Sequence, residues 1–159
     1  MPKSIVVRSR SETVVDSGKG FVCTTGPKAV ASGNNYLFFM ASGSTKVIRV
    51  TKIIVSCDAT MRARITQAPT VSANGTGLTM KNRRMGKGQS PEASCYTGPT
   101  VTAEGDVLYD QWLGAAITFV LDMSSSPWVV DPGNSLLVNM VAGGANNASV
   151  TFEWDEEIR

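Results

Sequence analysis

Residues 117–155 read ITFVLDMSSSPWVVDPGNSLLVNMVAGGANNASVTFEWD, and three segments within them decide the fold. Ile117, Phe119 and Leu121 alternate with Thr118, Val120 and Asp122. Leu136, Val138 and Met140 alternate with Leu137, Asn139 and Val141, and Val150, Phe152 and Trp154 alternate with Thr151, Glu153 and Asp155. A period of two is that of a strand with one face buried. Turn chemistry separates the segments. Ser124 to Pro127 is a loop, Asp131-Pro132-Gly133-Asn134 sets proline where its fixed φ suits a turn, and Gly143 to Asn147 makes the next reversal. Short, half-buried strands between such turns predict an antiparallel β-sandwich or barrel.

Working back from that stretch, further strand signals recur. Tyr36 to Ala41 is aromatic and bounded by glycines. Thr45 to Cys57 is long and β-branched, with apolar residues on both faces, so it is either covered twice or bent by a bulge that swaps faces. Met61, Ala63 and Ile65 alternate with Arg62, Arg64 and Thr66, predicting a half-buried strand that presents two arginines. Asn74-Gly75 marks a tight turn into a Thr76 to Met80 strand. Lys81 to Pro99 reads as a long loop, Thr100 to Glu104 as a short strand, and Asp106 to Leu113 as a helical turn with Val107, Leu108 and Trp112 near one face.

Residues 1–35 differ in character. Ser, Gly, Lys and Arg dominate, apolar pieces are short, and Phe21 is the sole aromatic. The expectation is an extended N-terminal arm with one or two short strands, hinged at Gly33-Asn34-Asn35 to a β-sandwich domain over 36–159. The arm carries a net charge of +3, residues 81–88 carry +4, and residues 153–159 carry −3.

Composition narrows function more by exclusion than by assignment. The chain has 159 residues and 42% hydrophobic content, enough for one cored domain. It has no histidine, which excludes Ser-His-Asp and Cys-His nucleophiles, His-ligated zinc and an imidazole pH switch. Cys23, Cys57 and Cys95 are an odd number at wide spacing, read as reduced structural thiols and not a disulfide framework. No apolar run reaches the ~20 residues that span a bilayer, and Met1 to Glu12 lacks a signal-peptide core, so the expectation is synthesis in a cytoplasm with no membrane partner. No catalytic constellation, metal loop or cofactor motif stands out, and an enzyme is not expected.

The candidate residues are therefore docking residues: Arg8, Arg10 and Lys19 in the arm, and Lys81, Arg83, Arg84 and Lys87 in the loop. Basic side chains beside glycine-freed amides suit an acidic partner surface, although a solvated loop has the same composition. The net charge of +2 and the lack of interleaved aromatics argue against direct nucleic-acid binding. Glu153 to Glu157 reads as a solvated strand end. Of the three tryptophans, Trp154 and Trp128 read as buried, and Trp112 as the one available to a sugar or protein partner.

Leu37-Phe38-Phe39-Met40-Ala41-Ser42-Gly43, the Val47 to Cys57 strand, Asn74-Gly75-Thr76 with Lys81-Asn82, Tyr96-Thr97-Gly98-Pro99-Thr100, Pro132 to Val138 and Val150 to Trp154 cover about three quarters of the chain. This region resembles the small β-sandwich structural proteins of tailed bacteriophages that decorate or cement the capsid. The resemblance implies a jelly-roll-like sandwich on the virion capsid surface, made in the host cytoplasm, without enzymatic role or cofactor. It implies the major capsid protein and other copies of the chain as partners, with a trimer preferred by family analogy. The arm would then order on the shell, so that deleting residues 2–30 removes attachment and leaves the sandwich folded. A tail or fibre-tip module and a lectin-like carbohydrate-binding domain are the alternatives.

Overall fold

In a computed structural model, which describes residues 14, 15, 17–86 and 88–158, the protein is all-β. The strands are Gly20–Thr24 (β1), Lys28–Val30 (β2), Gly33–Ala41 (β3), Lys46–Cys57 (β4), Met61–Gln67 (β5), Thr70–Ala73 (β6), Thr76–Gly77 (β7), Met80–Asn82 (β8), Ser94–Thr97 (β9), Thr100–Ala103 (β10), Asp106–Leu113 (β11), Ile117–Asp122 (β12), Trp128–Val130 (β13), Ser135–Ala142 (β14) and Asn146–Ile158 (β15). All pairings are antiparallel. One sheet runs β12-β4-β15-β1-β8, with β13 beside β4 and β2 beside β15. The other runs β11-β5-β14-β3-β9-β7, and β6 pairs with β10 as a separate ribbon.

The two large sheets pack face to face through one core. Phe38 of β3 stacks on Phe152 of β15 with ring centroids 4.4 Å apart, joining the layers at the centre. Met40, Ile65, Val138 and Met140 from one sheet meet Phe21, Ile53, Val55 and Trp154 from the other, all buried. The chain crosses between sheets at both sides of the sandwich. Leu78 and Thr79 carry it from β7 to β8, and Gly114 to Ala116 carry it from β11 to β12.

The two-faced β4 is explained by a bulge. Lys52 pairs with Glu153 and Val50 with Trp154, leaving Thr51 as an extra residue. Buried positions accordingly switch from Ile48 and Val50 to Ile53, Val55 and Cys57, which the bulge turns to the same core. The neighbour on the other side breaks at the same place. β12 pairs with 52–57 and β13 with 48–50, while the Met123 N–H donates to the Thr51 carbonyl at 2.8 Å across the gap.

The N-terminal third departs from the arm expectation. β1 lies between β15 and β8, Phe21 is fully buried, and its ring sits 5.8 Å from that of Trp154. Residues from Gly20 onward therefore belong to the sandwich, and a deletion reaching residue 30 removes an inner strand with its core aromatic. Gly33, Asn34 and Asn35, expected as a hinge, open β3 and pair with Ala142, Val141 and Met140. Before β1, Val14 and Val15 are helical. Lys19 N–H donates to the Val14 carbonyl, Gly18 N–H to that of Val15, and Gly18 takes the left-handed φ of +75° that such a stop needs. The helical turn expected at 106–113 is instead the edge strand β11, held by its register with β5. Tertiary pairing overrides the local apolar spacing there. The expected 81–99 loop also contains β9.

Candidate functional site

Of the seven basic residues singled out by the sequence, Arg8, Arg10 and Lys87 lie outside the described residues. Lys19 precedes β1, Lys81 lies on β8, and Arg83 and Arg84 follow it, so these four gather around one side of the seven-stranded sheet. The segment is anchored. Asn82 Nδ2 donates to the Gly18 and Gln89 carbonyls at 2.7 and 2.9 Å, its Oδ1 accepts from Arg84 N–H, and Arg83 N–H donates to the Gly20 carbonyl. A Cβ at Gly88 would stand 2.3 Å from Asn82 Cγ, so glycine permits this clasp.

The acidic tail is matched inside the chain. Glu153 faces Arg83 at 3.5 Å and Lys52 at 4.0 Å, and Glu157 accepts from Arg49 Nε at 3.2 Å. Glu156, expected on a solvated end, is buried at 2% exposure. It accepts from the backbone N–H groups of Glu92 and Ala93 at 2.8 and 3.0 Å, from the Trp154 indole N–H at 3.2 Å and from Lys46 Nζ at 3.3 Å. Four donors satisfy a carboxylate that would otherwise be costly to bury. Its task is structural: it fixes the lead into β9 on the end of β15. Asp155 is buried as well.

A second polar cluster lies on the outer face of the six-stranded sheet. Arg62 donates through Nε and Nη2 to both oxygens of Asp110, and Arg64 reaches Asp110 at 3.3 Å and Glu104 at 3.0 Å. Asn139, fully buried, donates to Glu104 Oε1 at 3.0 Å and to Asn34 Oδ1 at 2.9 Å, and Tyr36 Oη donates to Glu104 at 3.4 Å. The Arg62 guanidinium holds Asp110 below the usual carboxylate range, while burial and the adjacent Glu104 raise Tyr36. The alternation of 61–66 indicated the two arginines. Their acids come from strands whose register no local pattern reveals.

Trp112 lies opposite Arg62 on β11 and is 63% exposed. Its side chain lies on the outer face of the six-stranded sheet with those of Arg62 and Asp110. Val107 and Leu108 are exposed on the same edge strand, and Ile117, Val120 and Val129 are exposed on β12 and β13, which form the other sheet's edge on this side of the sandwich. Tyr109 and Phe119 stack across the two edges at 5.4 Å and close the core beneath. Leu108, Gln67, Trp128, Val129 and Asp131 line a cleft of about 440 Å³ on this side. Both strand edges end their sheets here, and neither β11 nor β12 contains the lysine or proline that commonly protects an edge. The sequence reading singled out Trp112. It missed the rest because β11 was read as helical.

Among the described residues, no group of three or more His, Cys, Asp or Glu side chains is placed to hold a metal ion, and no helix is long and apolar enough to cross a membrane. No protein-family model matches the chain, and no curated protein matches its sequence.

Proposed function

We propose that this chain is a non-enzymatic structural protein of a tailed-bacteriophage virion, decorating and cementing the capsid through contacts with the major capsid protein and with its own copies. The observation that supports this reading is the open side at β11, β12 and β13. It presents two strand edges that no other described strand pairs, a cleft between them lined by Leu108 and Val129, and exposed Val107, Trp112 and Val120 on the edge strands themselves. Aromatic and arginine side chains beside a pocket make a strong protein contact, and a face of this kind is unfavourable to leave in water. Its occupant in this reading is a second copy. Many copies, each with a modest interface, then hold a shell together.

The copy number per purified particle tests this, measured by quantitative mass spectrometry against the major coat protein. A simple ratio to the coat subunit is expected. A few to a few tens of copies would move the protein to a tail or fibre, and absence from particles would overturn the virion reading. Deleting residues 2–13, which leaves every described strand intact, is the matching test of terminal anchoring: it should abolish attachment. One observation favours a second reading, a lectin-like module: Trp112 stands beside the paired Arg62 and Asp110, an aromatic platform next to planar polar groups. Glycan-array binding abolished by Trp112→Ala would establish it.

A further inference from the structure

β11 and β12 end their sheets on the same side of the sandwich, yet the two edges differ in regularity. β11 carries a bulge at Leu108 and two aspartates, Asp106 and Asp110, and bulges and charges both blunt a sheet edge. β12 reads ITFVLD in unbroken register with Cys57 to Lys52 of β4, and its one charge, Asp122, stands at the end. No other described strand pairs with its outer side. The hydrogen-bond phase of that edge follows from one bond. The Met123 N–H donates to the Thr51 carbonyl at 2.8 Å, continuing the register that joins Asp122 to Lys52 and Ile117 to Cys57. Alternate residues of an antiparallel strand bond to the same neighbour. Ile117, Phe119 and Leu121 therefore bond to β4 as Met123 does, and Thr118, Val120 and Asp122 turn their N–H and C=O groups to the open edge. The 2.9 Å contact between the Thr118 and Ser56 hydroxyls agrees, because side chains come closest at such non-bonded pairs.

We propose that β12 is a strand-addition edge whose occupant is β12 of a second copy, paired antiparallel about a twofold axis at Val120. The inference rests on the reading of this side as a contact between copies, and it specifies how that contact is made. In this register Thr118 meets the partner's Asp122, Val120 meets the partner's Val120, and Phe119 meets the partner's Leu121. A hydroxyl then faces a carboxylate, no like charges oppose, and Val120, 48% exposed in the single chain, is covered by its own counterpart. Other registers do worse. A slip of one residue opposes the outward groups to groups already bonded to β4. A slip of two leaves Thr118 or Asp122 opposite a residue outside β12. The register at Val120 gives the outward groups of Thr118, Val120 and Asp122 a strand partner at once, and it joins two seven-stranded sheets into one. Such a contact is isologous and closes as a dimer, in place of the trimer that the family resemblance implied.

The test uses the full-length chain, with cysteine cross-linking to read the register and sedimentation velocity to read assembly. Bonded cross-strand partners have Cα atoms about 5.5 Å apart, within the reach of a disulfide, and the native thiols are buried. Under mild oxidation Val120→Cys should give a covalent dimer. Thr118→Cys and Asp122→Cys should each stay unlinked alone and link when mixed. Val120→Pro should weaken the dimer by roughly tenfold or more and leave the pairing with β4 in place, because the N–H it removes points outward. Val120→Lys should weaken it too, by opposing two lysines across the axis, and mixing it with Val120→Glu should restore a dimer. Val120→Lys keeps the test decisive where Val120→Pro does not fold. A monomeric wild-type chain would overturn both the contact reading and the strand pairing. An oligomer that stays unlinked in Val120→Cys, or unchanged in Val120→Lys, would leave the contact reading standing and overturn the strand pairing.

Discussion

Trp154 on β15 and Trp112 on β11 place the same side chain in opposite surroundings. Trp154 is fully buried on an inner strand paired on both sides, its ring near Phe21 and its indole N–H on Glu156. Trp112 stands on an edge strand and is largely exposed beside an Arg62–Asp110 pair. β15 uses polar atoms to complete a core, so that the Asp155 and Glu156 carboxylates are enclosed. β11 leaves apolar atoms in water and, among the described residues, unpaired backbone at a sheet edge. Stability is concentrated in the first region, and the proposed contact surface lies in the second.

The largest break in this contrast is Trp154→Ala. It removes the biggest buried side chain and leaves Glu156 short of a donor, so a loss of about 3–5 kcal/mol is expected in urea unfolding. A loss below about 1 kcal/mol would show that the core does not depend on β15. Glu156→Gln comes next. An amide N–H₂ group must then meet donors from Glu92, Ala93 or Lys46, and about 2–3 kcal/mol should be lost. An unchanged midpoint would return Glu156 to the role of an ordinary tail acid.

Acid should weaken the fold in a defined window. Asp110 is depressed by Arg62, Glu92 by Thr45, Asp58 by Asn147 and Asp122 by Ser124. Groups whose folded pKa lies below the unfolded value stabilise the protein above about pH 4 and lose that contribution as pH falls through the folded value. With no histidine in the chain, the urea midpoint should stay level between about pH 5.5 and 8 and decline below about pH 4. A step near neutrality would contradict this assignment. Smaller still is the Arg62–Asp110 coupling. A double-mutant cycle should give under about 1 kcal/mol, since Arg62 is 39% exposed.

The sequence reads most clearly where one face of a strand is dry. The alternations at 117–122, 136–141 and 150–155 correspond to β12, β14 and β15, and Met61, Ala63 and Ile65 turn inward as expected. The bulge at Thr51 was one of the two readings that the apolar residues on both faces of 45–57 left open. β11 was not legible, because an edge strand exposed on most positions lacks the period that marks a strand, and three apolar residues at helical spacing took its place. The place of β1 inside the sandwich was missed for a different reason: Gly20 to Thr24 is short and flanked by charge, and only its pairing with β15 gives Phe21 a place in the core. The site was legible in Trp112 and the two arginines alone. Its acids, its cleft and the internal neutralisation of the tail depend on registers between distant strands.

The central claim is that the β11–β12–β13 side is a contact surface between copies, and sedimentation velocity on the wild-type chain and Trp112→Ala tests it most directly. The account predicts an oligomer for the wild type. For Trp112→Ala it predicts a shift toward monomer, with an unfolding midpoint within about 0.5 kcal/mol of wild type. A wild-type chain that stays monomeric at tens of micromolar, or a variant that assembles as before, would contradict it.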